Sequence, residues 1–239
     1  MKPALRSLAL ILLAACVALP TASAAAGSRS VRATYAGTLN GMSIGVITEV
    51  FETDGATYRI VSDTRPIGLA VLLQRQPLRF VSRGHLTRDG LKPAHFEARR
   101  SANDPPQVSA EFDWSQGQVT LRHNGKMEAH AISIGTQDRL SIMYQFMFMR
   151  LARERQVEFA MTNGRKLDRY RYRVTPDVEI DTALGRLKTL HLVKEREQGD
   201  TAAEVWLSPQ HQNVAVKIVI VERDGMRFEQ AIQSVEFRD

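Results

Sequence analysis

Cysteine is all but missing from this chain. Cys16 is the one example in 239 residues, and it sits inside an apolar leader. Without that leader no disulfide, thiolate nucleophile or cysteine-bound metal is possible, so the remaining chain must be held by its core. Signatures of several chemistries are missing as well. There is no Ser-x-x-Lys pair, no Gly-x-Gly-x-x-Gly and no Walker-type phosphate loop. The six histidines, His85, His95, His123, His130, His191 and His211, show neither His-x-His nor His-Glu-x-x-His spacing. Hairpin partners such as His123 with His130, or His85 with His95, are the nearest approach to a ligand set, and no metal, cofactor or catalytic residue is assigned. After the leader no apolar run approaches the roughly 20 residues of a membrane-spanning helix.

The leader itself is informative. Lys2 and Arg6 precede an apolar stretch over residues 8–19, Pro20 breaks it, and Ala22-Ser23-Ala24 offers small residues for cleavage. That order is the pattern of a secretory signal, which predicts residues 1–24 as a signal peptide and 25–239 as the exported, periplasmic chain. Leu13-Ala14-Ala15-Cys16 also fits a bacterial lipobox, so the alternative is a lipoprotein anchored through Cys16. The whole chain has 32 basic and 26 acidic residues, a formal net charge of +6. The leader holds two of the basic residues and none of the acidic ones, which leaves the exported part mildly basic. Such a balance favours anionic envelope partners without requiring nucleic acid.

Punctuation dominates the rest. Asn40-Gly41, Asp54-Gly55, Asp89-Gly90, Asn124-Gly125, Asn163-Gly164 and Asp224-Gly225 are hairpin-turn pairs, because Asn, Asp and Gly tolerate positive φ best. Most are flanked by β-rich runs. Val31, Ala33, Tyr35, Gly37 and Leu39 alternate with more polar residues, as a strand buried on one face does. Residues 214–221 (VAVKIVIV) carry β-branched side chains on both faces, which predicts a central strand. Residues 67–73 (IGLAVLL) fit a short helix or a buried strand equally. About 13 to 15 strands are expected, with no linker between them, hence one β-rich domain.

One stretch breaks this pattern. Residues 135–153 (GTQDRLSIMYQFMFMRLAR) read as a helix that is apolar almost all round, with Thr136 as N-cap and Asp138 in its first turn. A helix of that kind is buried. A long antiparallel meander twists and curls. The expected architecture is therefore mainly β: one large, strongly curved antiparallel sheet or open β-barrel, enclosing or capped by one apolar helix.

Gly90-Leu91-Lys92-Pro93, Phe112-Asp113-Trp114 and Gln137-Asp138-Arg139-Leu140-Ser141 recur in this order, followed by Tyr170-Arg171-Tyr172, Gly185 with Leu187-Lys188, and Val205-Trp206-Leu207-Ser208-Pro209. In these motifs the chain resembles exported bacterial proteins catalogued as domain-of-unknown-function family 3108. The resemblance spans essentially the whole exported chain and implies no activity.

Two groups of residues are candidate sites. Asp138, Arg139, Ser141 and Gln145, with the soft apolar Met143, Phe146 and Met147, are read as the lining of a ligand cavity for a lipid-like molecule. The same polar residues also suit helix capping and closure of strand backbones. Arg169, Arg171 and Arg173 alternate on one strand and form a candidate anion-binding stripe, or a solvated face paired with neighbouring carboxylates. Nucleic acid is disfavoured, because the aromatics of that strand face away from the arginines. The leading expectation is a non-enzymatic envelope protein that binds an apolar or amphipathic ligand, or a partner, with oligomeric state open. The alternative is a glycan-acting enzyme that uses carboxylates such as Asp113 and Asp138.

Overall fold

The computed structural model describes residues 29–68, 79–196 and 199–239. The leader, Cys16 and most of the 67–73 run lie outside them. Fifteen strands follow in chain order. The first group is β1 (Arg29–Leu39), β2 (Met42–Thr53), β3 (Thr57–Pro66), β4 (Arg79–Thr87) and β5 (Gly90–Arg99). Then come β6 (Val108–Asp113), β7 (Gln118–His123), β8 (Lys126–Ala131) and β9 (Gln137–Asp138). After a helical segment follow β10 (Gln156–Thr162), β11 (Leu167–Thr182), β12 (Gly185–Lys194), β13 (Ala202–Ser208), β14 (Val214–Val221) and β15 (Arg227–Arg238).

All fifteen belong to one sheet in the order 8-7-6-5-4-3-2-1-15-14-13-12-11-10-9. Each strand pairs antiparallel with its neighbour, except that β9 runs parallel to β10. The chain thus lays down one wing (β1–β8), crosses by the helical segment, and returns through the second wing until β15 zips onto β1. All six Asn/Asp-Gly pairs join consecutive strands. Asn40-Gly41 and Asn124-Gly125 have positive φ at both residues, as a type I′ turn requires. In the other four only the glycine is left-handed.

The sheet is not closed: β8 and β9 are its edges. It is rolled, however, so that the β9–β10 edge lies against the inside of the first wing. Gln137 Nε2 donates to the Leu91 carbonyl at 2.8 Å, and Ser82 Oγ donates to Asp138 Oδ2 at 2.6 Å. At the β10–β11 turn Gly164 (φ +83°) nests on Val108 and Phe96, and a Cβ there would sit 3.1 Å from Val108 Cγ2.

One expectation is corrected here, and two strands take unexpected form. The helix does not span 135–153. α1 covers only Ser141–Gln145, followed by 3₁₀ turns at Phe146–Phe148 and Leu151–Arg153. Tertiary pairing takes the first residues: Gln137 and Asp138 add to β10, and the Arg139 amide donates to the Thr162 carbonyl. Thr136 caps nothing helical, because its hydroxyl closes a turn with Ser133. At the far end Asn213 Nδ2 donates to the carbonyls of Phe146 and Met149, and Met149 is extended. With aromatic residues of modest propensity, one turn is all that survives. Residues 126–131 form β8, a strand that their polar composition hides. Residues 167–182 form a single long strand, bulged between Thr175 and Val178.

The alternation of β1 holds, with Val31, Ala33, Tyr35 and Gly37 inward. β14 is interior to the sheet, between β13 and β15, as its composition predicts. The helical segment is what the two wings share. Leu140 and Tyr144 pack with Phe51, Tyr58, Ile60 and Phe96 of the first wing. Ile142, Phe146 and Leu151 pack with Val174, Leu192, Val205 and Leu207 of the second. No helix among the described residues is long and apolar enough to cross a membrane.

Candidate functional site

Alternation along β2 points Gly45, Ile47, Glu49, Phe51 and Thr53 inward, which sets a carboxylate in an otherwise apolar row. Glu49 is 7% exposed and accepts from Ser62 Oγ at 3.2 Å and from the Tyr144 hydroxyl at 3.3 Å. Gln230 lies beside it, offering a donor whose geometry falls short of a hydrogen bond. Burial raises the Glu49 pKa, and these donors together with Arg139 pull it part of the way back.

Asp138 is the second buried carboxylate. Its Oδ1 accepts the amides of Leu140 (2.9 Å) and Ser141 (2.8 Å), and its own amide donates to Ser141 Oγ at 2.9 Å. This reciprocal pair starts α1 in the manner of a capping box. Oδ2 takes Ser82 Oγ, which is 3.1 Å from the Tyr58 hydroxyl. Burial raises this pKa also, with Ser82 the strongest opposing influence. Both carboxylates are thus committed to interior hydrogen bonds.

Gln145 bridges the same wing. Its Oε1 accepts the Leu91 amide at 2.6 Å and its Nε2 donates to the Asp89 carbonyl at 2.8 Å. The side chain lies so close to Gly90 (φ +100°) that any Cβ there would collide with it. Of the polar strip, Asp138, Ser141 and Gln145 therefore serve capping and closure.

Arg139 is different. Burial pulls its pKa down, and Glu49 and then Asp138 pull it back up. The residue is nevertheless exposed to water. Its Cζ lies 4.8 Å from the centre of the Phe80 ring. Among the described residues its guanidinium has no hydrogen-bond or ion-pair partner. Half-buried apolar side chains border the interior from both wings: Phe80, Met143 and Met147 with the first core cluster, Phe159, Met161 and Tyr170 with the second. Phe146, by contrast, is 1% exposed and is core.

The arginine stripe is formed but largely answered. Arg171 donates to Glu158 at 3.0 and 3.2 Å, Arg169 is 3.7 Å from the same carboxylate, and Arg173 alone has no acidic partner among the described residues. Asp113 does not join Asp138. It faces outward on β6 and caps its own turn through Ser115 and Gln116, while Asp138 is inside. Sequence reasoning also passed over a Gly-x-Ser-x-Gly string at Gly41–Gly45. It runs from a hairpin turn into β2, with no strand-to-helix elbow and no histidine bonded to Ser43. His123 and His130 flank Glu128 at 4.0 and 3.7 Å, and His95 is held between Glu111 and Glu97. No group able to hold a metal ion forms among the described residues.

Sequence reasoning missed Glu49, Tyr58, Phe80 and Ser82. Glu49 was visible as a charge on the apolar phase of a strand; Ser82 and Phe80 acquire meaning only when β4 meets the β9 edge.

Comparison with known proteins places these features in context. The profile of a family described as "Protein of unknown function (DUF3108)" matches residues 31–230. No curated protein matches the sequence. Among solved structures, a beta-barrel-like protein of domain of unknown function DUF1849 from Brucella abortus is similar, at TM-score 0.52 and 12% identity, over 88% of this chain and 98% of that one. At that identity the likeness shows a shared fold. A putative outer membrane lipoprotein-sorting protein domain from Vibrio parahaemolyticus aligns over 89% of this chain and 86% of its own at 10% identity. Its TM-score is 0.25, and it carries no argument here.

Proposed function

This chain belongs to the DUF3108 family of proteins of unknown function, and from that premise we propose that it is an exported, non-enzymatic envelope protein that holds an amphipathic ligand in the concave interior beside α1. The observation that carries the reading is Arg139. A cation with no protein acceptor among the described residues keeps exposed surface beside Phe80, at the start of a segment flanked by half-buried methionine and aromatic side chains. Binding sites of this type combine an apolar lining with a few placed polar groups that fix orientation. Met143 and Met147 supply adaptable walls, and the guanidinium supplies the polar end. Asp138, Ser141 and Gln145 hold the segment in place and do not contact the ligand, and Phe146 seats it. A non-enzymatic role fits the two buried carboxylates, which accept from serine, tyrosine and backbone donors.

Titration of the purified protein with a fluorescent fatty acid tests this. The wild type is expected to bind, and Arg139→Leu to weaken binding about tenfold or more, equivalent to about 1.4 kcal/mol. Met147→Trp is expected to displace the probe with stability nearly unchanged. In a filled core the same change overpacks and costs about 1–3 kcal/mol. A wild-type protein that binds no lipid-like probe, together with a strongly destabilised Met147→Trp, overturns the proposal.

A further inference from the structure

The edge strand β8 lies open along its length. Lys126, Met127, Glu128, Ala129 and Ala131 are exposed, and His130 alone is partly covered. We propose that β8 is a dimerisation edge, which pairs antiparallel with β8 of a second copy of this chain about a two-fold axis at Ala129.

Hairpin geometry decides which backbone groups are free. A two-residue turn makes its flanking residues, His123 and Lys126, a hydrogen-bonded pair, and bonded and unbonded pairs alternate from there. The Ile132 amide, which donates to the Gly117 carbonyl at 2.9 Å, fits that phase. Lys126, Glu128 and His130 therefore direct their amides and carbonyls to β7, while those of Met127, Ala129 and Ala131 point away from the sheet. Common guards of an exposed edge are missing, since β8 has no proline and its register with β7 runs without a bulge. The opposite edge, β9, is two residues long and lies against the first wing.

Side chains select the register. Strand pairing puts Lys126, Glu128 and His130 in the rows of the buried Val108, Ala110 and Phe112, on the core face. Met127, Ala129 and Ala131 take the outer face. With Ala129 opposite its own copy, Glu128 stands across from His130 of the second copy on both sides of the axis. Met127, 62% exposed, stands across from Ala131. An axis at Glu128 would oppose two carboxylates, and one at His130 two imidazoles. An axis between residues would set free backbone groups against those already bonded to β7.

Unmet hydrogen bonding in the single chain points the same way. His123 Nε2 and His130 Nε2 are both shut off from water without a partner among the described residues. Glu128 lies between them at 4.0 and 3.7 Å, too far for a hydrogen bond to either. In the dimer His130 gains the carboxylate of the opposite copy, and the chain's own Glu128 is left to His123. The proposal stands independently of the interior reading.

Sedimentation velocity of the purified protein, from about 1 µM to about 500 µM, tests it. About six interchain backbone hydrogen bonds form a small interface, so a reversible dimer with Kd on the order of 10–100 µM is expected. Ala129→Pro removes an amide that β7 does not use. It should weaken the dimer about tenfold or more with the melting temperature nearly unchanged. Glu128→Lys and His130→Glu each set like charges across the axis and should weaken it similarly. The two combined restore opposite charges and should return Kd to within about threefold of wild type, which a merely structural role for either residue would not do. A wild type that stays monomeric to the top of the series overturns the proposal, as does a double variant no better than the singles.

Discussion

The two wings of the sheet hold the same helical segment by different means. The first wing grips it mainly through hydrogen bonds: Ser82 to Asp138, Tyr144 to Glu49, Gln137 to the Leu91 carbonyl, and Gln145 to both Asp89 and Leu91. The second wing receives Ile142, Phe146 and Leu151 in an aliphatic bed of Val174, Leu190, Leu192, Val205 and Leu207. Among the described residues its one side-chain hydrogen-bonding tie to the segment is Asn213, which donates to the carbonyls of Phe146 and Met149. Apolar burial is strong but non-directional, at about 1.5–3 kcal/mol for a fully buried large side chain. A hydrogen bond nets only about 1 kcal/mol, yet leaving its buried partner unmade costs about 1–3. The second wing therefore supplies adhesion, and the first fixes where the segment sits. That division leaves Arg139, between the two grips, free to face the interior.

The largest expected effect is on the apolar side. Phe146→Asp places a carboxylate at a position 1% exposed, among Phe159 and its neighbours. It should cost at least about 3 kcal/mol in denaturant unfolding. An unchanged midpoint would mean that the second wing does not carry the adhesion.

Asp138→Ala acts on the polar side and should be smaller, about 2–3 kcal/mol. It orphans the amides of Leu140 and Ser141 and leaves the Ser82 hydroxyl with Tyr58 alone. Hydrogen exchange sharpens the comparison. Protection at Leu140 and Ser141 should fall well below that of β12–β14 in this variant. Uniform loss across both wings would erase the distinction between positioning and adhesion.

The smallest effect is a pH dependence. Folding raises the pKa of both Glu49 and Asp138, chiefly by burial. The native state therefore holds these protons more tightly than the unfolded chain. Stability from these two groups is fullest below the ordinary carboxylate range of about 4, and it declines as pH climbs through the native values. Glu49→Gln removes one such group, so its stability relative to wild type should improve steadily from acidic toward neutral pH. A difference that stays flat with pH would show that Glu49 keeps an ordinary carboxylate pKa in the fold.

Much of the architecture was legible from one dimension, because it rests on local rules. The Asn/Asp-Gly turns and the alternation of residues such as Val31, Ala33 and Tyr35 determine hairpins, and a run of hairpins this long determines a curled antiparallel sheet. The apolar character of residues 140–151 likewise determined that this segment is buried. What the segment became was decided by tertiary structure. Gln137 and Asp138 went to strand because the β10 edge offered hydrogen bonds that a marginal helix end does not match. The segment beyond Gln145 tightened into 3₁₀ turns where Asn213, 67 residues after Phe146, reaches its carbonyl. The site belongs to the same category. Arg139 was recognisable as a charge beside an apolar run, but its lack of an ion-pair partner among the described residues depends on how two distant wings close around it. Local propensity and periodicity act over a few residues, whereas partner, exposure and pKa are set by atoms that only folding brings within reach.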